Sequence, residues 1–195
     1  MQIGIYKPAN WLDPLDWREV FDEPRPVEID IGCGKGAFLL WAAQARTQHN
    51  FVGIERQLVR VRKVDKKIQR LGLRNVRLIR IEASYFVSKI VLNNSVSAYH
   101  IYFPDPWPKR RHHPRRLFNT GFVQELDRTL TRGGAVNVAT DDDDYFVHIE
   151  KVMVESKRFA VTPPEPLPPE AKTEFENLFV AQGKPIHRTR FVRLG

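Results

Sequence analysis

Apolar residues along this chain fall into short runs separated by longer stretches of mixed character, the pattern of strands alternating with amphipathic helices around a parallel sheet. Val27-Glu28-Ile29-Asp30-Ile31 predicts a first strand ending in glycines. A helix over 36–46 follows, with Phe38, Leu39, Trp41, Ala42 and Ala45 on its buried side. Phe51-Val52-Gly53-Ile54 predicts a second strand. Val61, Val64, Ile68 and Leu71 then recur at spacings of three or four, one apolar stripe on a basic helix that Gly72 ends. Further strands are expected over 76–81, 96–103 and 135–139, a helix over 119–130, and a turn at Gly133-Gly134. Residues 141–144 are all aspartate and open a helix over 145–156, where acids complement the helix macrodipole. Residues 158–161 and 187–194 predict the last two strands, paired antiparallel at one edge.

Five prolines between residues 163 and 169 look like a linker, but the 26 residues that follow residue 169 are too short for a second domain. Residues 162–170 are therefore read as a stiff surface loop, and residues 1–195 as a single α/β domain. The lead segment 1–24, with Trp11 and Trp17, shows no clear period; a short packed helix is the expectation there. It lacks the basic start and apolar core of a signal peptide, and no run of 18 apolar residues exists to span a membrane. Cys33 is the single cysteine, which excludes an internal disulfide and suits the cytoplasm. The six histidines show no metal-ligand spacing, so no metal is expected. The chain is expected to be a monomer or a homodimer.

Charge adds a class of partner. Thirty-one Lys and Arg against 23 Asp and Glu give +8, and the pI is about 9.8. Such a balance is a footprint of polyanion binding when the charge is clustered. Between residues 56 and 80 stand ten basic residues and one acid, Asp65. Lys109-Arg110-Arg111-His112-His113-Pro114-Arg115-Arg116 packs five permanent positive charges into eight residues.

Two loops hold the candidate chemistry. Asp30-Ile31-Gly32-Cys33-Gly34-Lys35-Gly36-Ala37 lies between a strand and a helix, where glycines allow a sharp turn and close approach to a ligand. Glu55 ends the second strand, placed to accept hydrogen bonds from a ribose diol. The spacing Gly32-x-Gly34-x-x-Ala37 also satisfies a dinucleotide fingerprint. The tight Gly32-x-Gly34-x-Gly36 spacing and the acid Asp30 favour S-adenosylmethionine, whose sulfonium and ammonium welcome a carboxylate. Glu82, at the end of the third strand, is a candidate adenine contact. The second loop, Phe103-Pro104-Asp105-Pro106-Trp107-Pro108, follows the fourth strand, and its prolines restrict Asp105 to few conformations. A fixed carboxylate there suits the edge of a nucleobase, and Trp107 is positioned either to stack on a base or to plug the core.

The proline loop with Lys109, Arg111-His112 and Arg115-Arg116 resembles the signature of the tRNA (guanine-N7-)-methyltransferases. The likeness extends from residues 28–36 and Gly53-Ile54-Glu55 through Thr140-Asp141 to Thr173-Glu174-Phe175-Glu176. It implies a Rossmann-like class I methyltransferase: a seven-stranded, mostly parallel sheet with an antiparallel last strand and helices on both faces. It implies transfer of a methyl group from S-adenosylmethionine to guanine N7 in the variable loop of tRNA. The resemblance assigns cofactor contacts to Asp30, Glu55, Glu82 and Asp105, and the catalytic role to Asp105. Substrate contacts fall on Lys109, Asp141 and Thr173, Glu174, Phe175 and Glu176, and RNA contacts on Arg111, Arg115 and Arg116. Glu82 with Ala83-Ser84 departs from the more usual aspartate of the family, and Pro114 interrupts the basic run.

Overall fold

The alternating apolar runs assemble into one eight-stranded sheet in the computed structural model, which describes residues 3–195. Met1 and Gln2, at the start of the lead segment, lie outside the described residues. In chain order the strands are β1 (Gly4–Ile5), β2 (Val27–Ile31), β3 (Asn50–Ile54), β4 (Val76–Ile79), β5 (Val96–Tyr102), β6 (Leu130–Thr140), β7 (Phe159–Thr162) and β8 (His187–Arg193). The helices are α1 (Trp17–Val20), α2 (Ala37–Ala45), α3 (Leu58–Leu71), α4 (Ala83–Tyr85), α5 (Thr120–Thr129), α6 (Asp143–Glu155) and α7 (Glu174–Ala181). The strand order is β1-β4-β3-β2-β5-β6-β8-β7, with β8 antiparallel to both β6 and β7.

Strand pleating explains the two apolar layers. Val27, Ile29 and Ile31 of β2 join Val20, Phe86, Phe122, Leu126, Tyr145 and Ile149 on one face. The other face is covered by α2 and α3 through Phe38, Leu39, Val61, Val64 and Ile68. The chain runs from β2 outward to β4 and then returns to place β5 on the opposite side of β2. That reversal is where α/β sheets open a ligand crevice at the carboxyl ends of the strands. Ile31 lies beside Ile101, so the glycine loop after β2 and the proline loop after β5 emerge side by side.

Several expectations are corrected. An eighth strand, Gly4–Ile5, pairs with β4 at the edge, where two residues are too few to leave a periodic signal. Gly133 and Gly134 lie inside β6 instead of forming a turn. A Cβ on Gly134 would sit 2.9 Å from the Thr131 carbonyl and 3.0 Å from that of Ser97, so glycine marks a close backbone approach at a register irregularity. On α2 the buried set is Phe38, Leu39, Leu40, Ala42 and Ala43, with Ala45 exposed and Trp41 half-buried. Leu71, at the end of α3, is exposed, so the buried stripe of that helix is Val61, Val64 and Ile68. The third strand stops at Ile79, and the fourth at Tyr102, where Phe103 turns to φ +55°.

The packing of β3 gives a direct test. A Cβ on Gly53 would lie 2.5 Å from Leu39 Cδ2 and 2.9 Å from Leu78 Cδ2. Gly53→Ala is expected to destabilise the fold by about 1–3 kcal/mol through overpacking, read as a lower urea midpoint with an unchanged slope.

Candidate active site

The glycine loop is stitched to the end of β3: the amides of Gly32 and Cys33 donate to the Ile54 carbonyl at 2.8 and 3.0 Å. Gly32 and Gly34 adopt φ of +74° and +55°, and a Cβ on Gly32 would meet nothing within 4 Å. Glycine is therefore required by the backbone turn, and the loop surface is left open toward the strand ends. Cys33 is buried and its thiol pKa is raised by burial, which removes it as a nucleophile and leaves it as a small packing residue.

Asp30 lies under this loop. Its carboxyl is buried, its Oδ2 has no hydrogen-bond partner among the described residues, and burial followed by the charge of Glu55 pushes its pKa up to about 8. Glu28, two residues earlier on the same face of β2, has the opposite fate. Burial would raise its pKa, but His100 at 2.7 Å, Arg46 at 3.0 Å and His49 at 2.7 Å outweigh that and hold it low. One carboxylate is thus neutralised by its neighbours, and the other is left needing a cation. Glu55 is buried beside it, accepting from the Gln57 amide at 2.8 Å, with Arg60 3.7 Å away. The orphaned oxygen of Asp30 and the open glycine turn fit a ligand carrying positive charge. Glu82 is exposed, and both its oxygens are engaged by the amides of Ser84 and Tyr85 at 2.9 and 2.7 Å, so helix capping accounts for it locally.

Across the crevice, Asp105 is exposed between two non-glycine residues in the left-handed region, Phe103 at φ +55° and Trp107 at +47°. Trp107 packs edge-on to His112 with centroids 5.8 Å apart, and the Arg115 guanidinium sits 5.1 Å over its ring. Lys109, Arg110, Arg111 and Arg115 are exposed on the turn 110–115. Arg116, the other expected RNA contact, is only 3% accessible and is engaged internally. Its Nε donates to the Pro106 carbonyl at 2.8 Å and its Nη2 to Asp144 at 2.5 Å.

The segment 173–176 folds back over the glycine loop. Thr173 caps α7 by accepting from the Glu176 amide at 3.1 Å, and Glu174 pairs with Lys35 of the loop. Phe175 lies under Arg60. Glu176 is buried and bonded to Arg188, so a substrate contact there would require that pairing to open. The far end of α7 reaches the proline loop: Phe179 packs on Phe103 at 5.6 Å, and Lys184 pairs with Asp141 at 2.7 Å. Sequence reading missed Lys35, Arg60, Lys184 and Arg188. Lys35 was findable from its place between loop glycines, whereas Arg188 gives no local signal. Among the described residues no cluster of three or more His, Cys, Asp or Glu is arranged to hold a metal, and no helix is long and apolar enough to cross a membrane.

Comparison with known proteins agrees with this geometry. Residues 24–189 match a family model described as "Putative methyltransferase". An rRNA methylase from Streptococcus thermophilus superposes with a TM-score of 0.60 at 15% identity, covering 91% of each chain. A SAM-dependent O-methyltransferase from Thermotoga maritima also superposes at 0.60, with 14% identity over 91% of this chain and 63% of that one. The fold is that of the class I methyltransferases. Two curated tRNA (guanine-N(7)-)-methyltransferases are closer in sequence. That of Thermotoga maritima is 35% identical over 91% of this chain, and that of Rubrobacter xylanophilus 30% identical over 97%. The chain spans 58% of the length of the first and 86% of the second. It belongs to the tRNA (guanine-N(7)-)-methyltransferase family.

The state of Asp30 is open to measurement. Its pKa rises from 3.8 to about 8 on folding, so the native state retains a proton that the unfolded chain gives up, and stability is lost as pH climbs through that interval. Asp30→Asn should leave urea stability unchanged below pH 3.8 and raise it at pH 8 by at least about 1 kcal/mol over the parent.

Proposed function

We propose that this protein, working in the cytoplasm, transfers a methyl group from S-adenosylmethionine to N7 of a guanine in the variable loop of tRNA. The observation that supports this most is the buried Asp30 carboxyl, whose Oδ2 has no partner among the described residues, beneath an open glycine turn and adjacent to the proline loop and its basic flank. A nicotinamide dinucleotide would bring a pyrophosphate toward Glu55 and the buried Asp30 carboxyl, an unfavourable pairing; a sulfonium or ammonium brings the charge that lets Asp30 ionise. S-adenosylmethionine supplies, when bound, a methyl group activated by a positively charged sulfur. Asp30 and Glu55 hold it by charge and by hydrogen bonds to the ribose.

Guanine N7 has a lone pair and no proton, so the reaction needs no general base. Asp105 therefore acts by orientation, accepting hydrogen bonds from the Watson–Crick edge of guanine while N7 faces the methyl group. Positioning of this kind supplies up to roughly 7–11 kcal/mol in well-oriented systems. A variable-loop guanine has to leave its tertiary contacts, at a cost of a few kcal/mol. Lys109, Arg111 and Arg115 offset that cost at phosphates, and Asp141 takes part at the same rim once Lys184 is displaced.

The RNA footprint extends along α3. Arg62, Lys63, Lys66 and Arg70 are exposed, lie within about a third of the helix circumference, and face away from buried Val61, Val64 and Ile68. None of the four makes an ion pair among the described residues, which leaves their charge free for phosphates.

The direct test is incubation with labelled S-adenosylmethionine and unmodified tRNA, followed by digestion to nucleosides. Label in 7-methylguanosine is expected; label in an exocyclic-amine product would overturn the reading. Asp105→Ala should reduce transfer at least a hundredfold, with affinity for S-adenosylhomocysteine falling far less. Replacing Arg62, Lys63, Lys66 and Arg70 together by Gln should lower the salt slope of tRNA binding by about 0.7–0.9 for each phosphate the variant no longer neutralises.

A further inference from the structure

Five residues separate Phe103 from Lys109, and three of them are prolines without a donor N–H. Among the described residues the interior of this loop, 104–108, makes one hydrogen bond: the Pro106 carbonyl accepts from Arg116 Nε at 2.8 Å. The same guanidinium donates to Asp144 at 2.5 Å and lies 4.8 Å over the ring of Tyr145. Asp144 and Tyr145 stand in the first turn of α6, which Asp142 caps and Asp141 precedes. Tyr145 is itself fixed, fully buried, with its hydroxyl accepting from the Phe118 amide at 3.2 Å. A single buried cation thus ties the carbonyl next to Asp105 to the first turn of α6, three residues beyond Asp141.

We propose that Arg116 is a positioning residue that holds Asp105, and with it the substrate pocket, in its working geometry through the Pro106 carbonyl and Asp144. The proposal rests on the methyl-transfer reading for its chemistry. Phe103 and Trp107 are both in left-handed conformations on either side of Asp105, which L-residues adopt only where the surroundings impose them. The Phe103 amide is held by Ala139 at 2.7 Å; on the other side the corresponding restraint is Arg116. Arg115, one residue earlier, is exposed over Trp107 and free to meet phosphate. Adjacent arginines in one basic run therefore do different work, one outside on RNA and one inside on the loop.

The two roles separate in kinetics and salt dependence. Arg116→Gln should lower kcat at saturating tRNA and S-adenosylmethionine by about 10- to 100-fold, the scale of a misplacement near 1 Å. The salt slope of tRNA binding and the affinity for S-adenosylhomocysteine should stay at parental values. Arg115→Gln should instead lower the salt slope by about 0.7–0.9. Asp144→Asn alters an exposed side chain and is suited to testing the same brace if Arg116→Gln folds poorly; it should lower kcat several-fold, and the double variant should fall no further than Arg116→Gln alone. A kcat within twofold of the parent in the folded variants, or a salt slope in Arg116→Gln that drops as in Arg115→Gln, would overturn the proposal. Hydrogen exchange over residues 103–113 reads the brace without any assay, and Arg116→Gln should accelerate it. If the parent methylates another base, the proposed specificity fails while the kcat ratio and the exchange still report on Arg116.

Discussion

Asp30 is drawn into the interior by β2, whose alternate residues must face the α2–α3 layer, and there it meets another acid instead of a base. Two residues away on the same face, Glu28 has two histidines and an arginine within 3.0 Å. A folded chain able to surround one buried carboxylate so fully has the means to neutralise another. That Asp30 has no such partner fits a site whose counter-charge arrives with a ligand, and the cost of ionising an unpaired buried carboxyl couples ligand binding to the loss of its proton. The glycine turn, the sheet reversal and the neighbouring proline loop all follow from presenting that carboxylate at the strand ends.

Around this acidic centre the remaining charge is arranged by exposure. Arg62, Lys63, Lys66 and Arg70 on α3 and the arginines of the turn 110–115 look outward, while Arg116 and Arg188 are turned inward and engaged by Asp144 and Glu176. The helix α7 spans the crevice from Lys35 at the glycine loop to Phe103 at the proline loop, and Lys184 just beyond it pairs with Asp141. The glycine loop and the proline loop are therefore mechanically joined, and the outward basic surface lies around them.

What the sequence announced was whatever depends on local backbone chemistry. The glycine turn needs positive φ at Gly32 and Gly34, and the proline loop needs residues that cannot flex, so both are written in composition. The central strands and α2 and α3 show in the apolar period. What stayed hidden depends on residues distant in the chain. Glu28 and His100 are 72 residues apart, Arg116 and Asp144 are 28 apart, and neither pairing leaves a mark in either segment alone. Arg116 was indistinguishable from Arg115 by sequence because both belong to one basic run; only burial divides them. Gly133-Gly134 was read as a turn because two glycines allow one, although tertiary crowding by Ser97 is what requires glycine there.

The central claim is that Asp30 holds a proton until a cationic ligand replaces it. Calorimetric titration of the protein with S-adenosylhomocysteine at pH 7, repeated in buffers of different ionisation enthalpy, counts the protons exchanged on binding. With a free-state pKa of about 8, release of about one proton per site is expected, and Asp30→Asn should remove it. Tight binding with no net proton release in the parent protein would contradict the account.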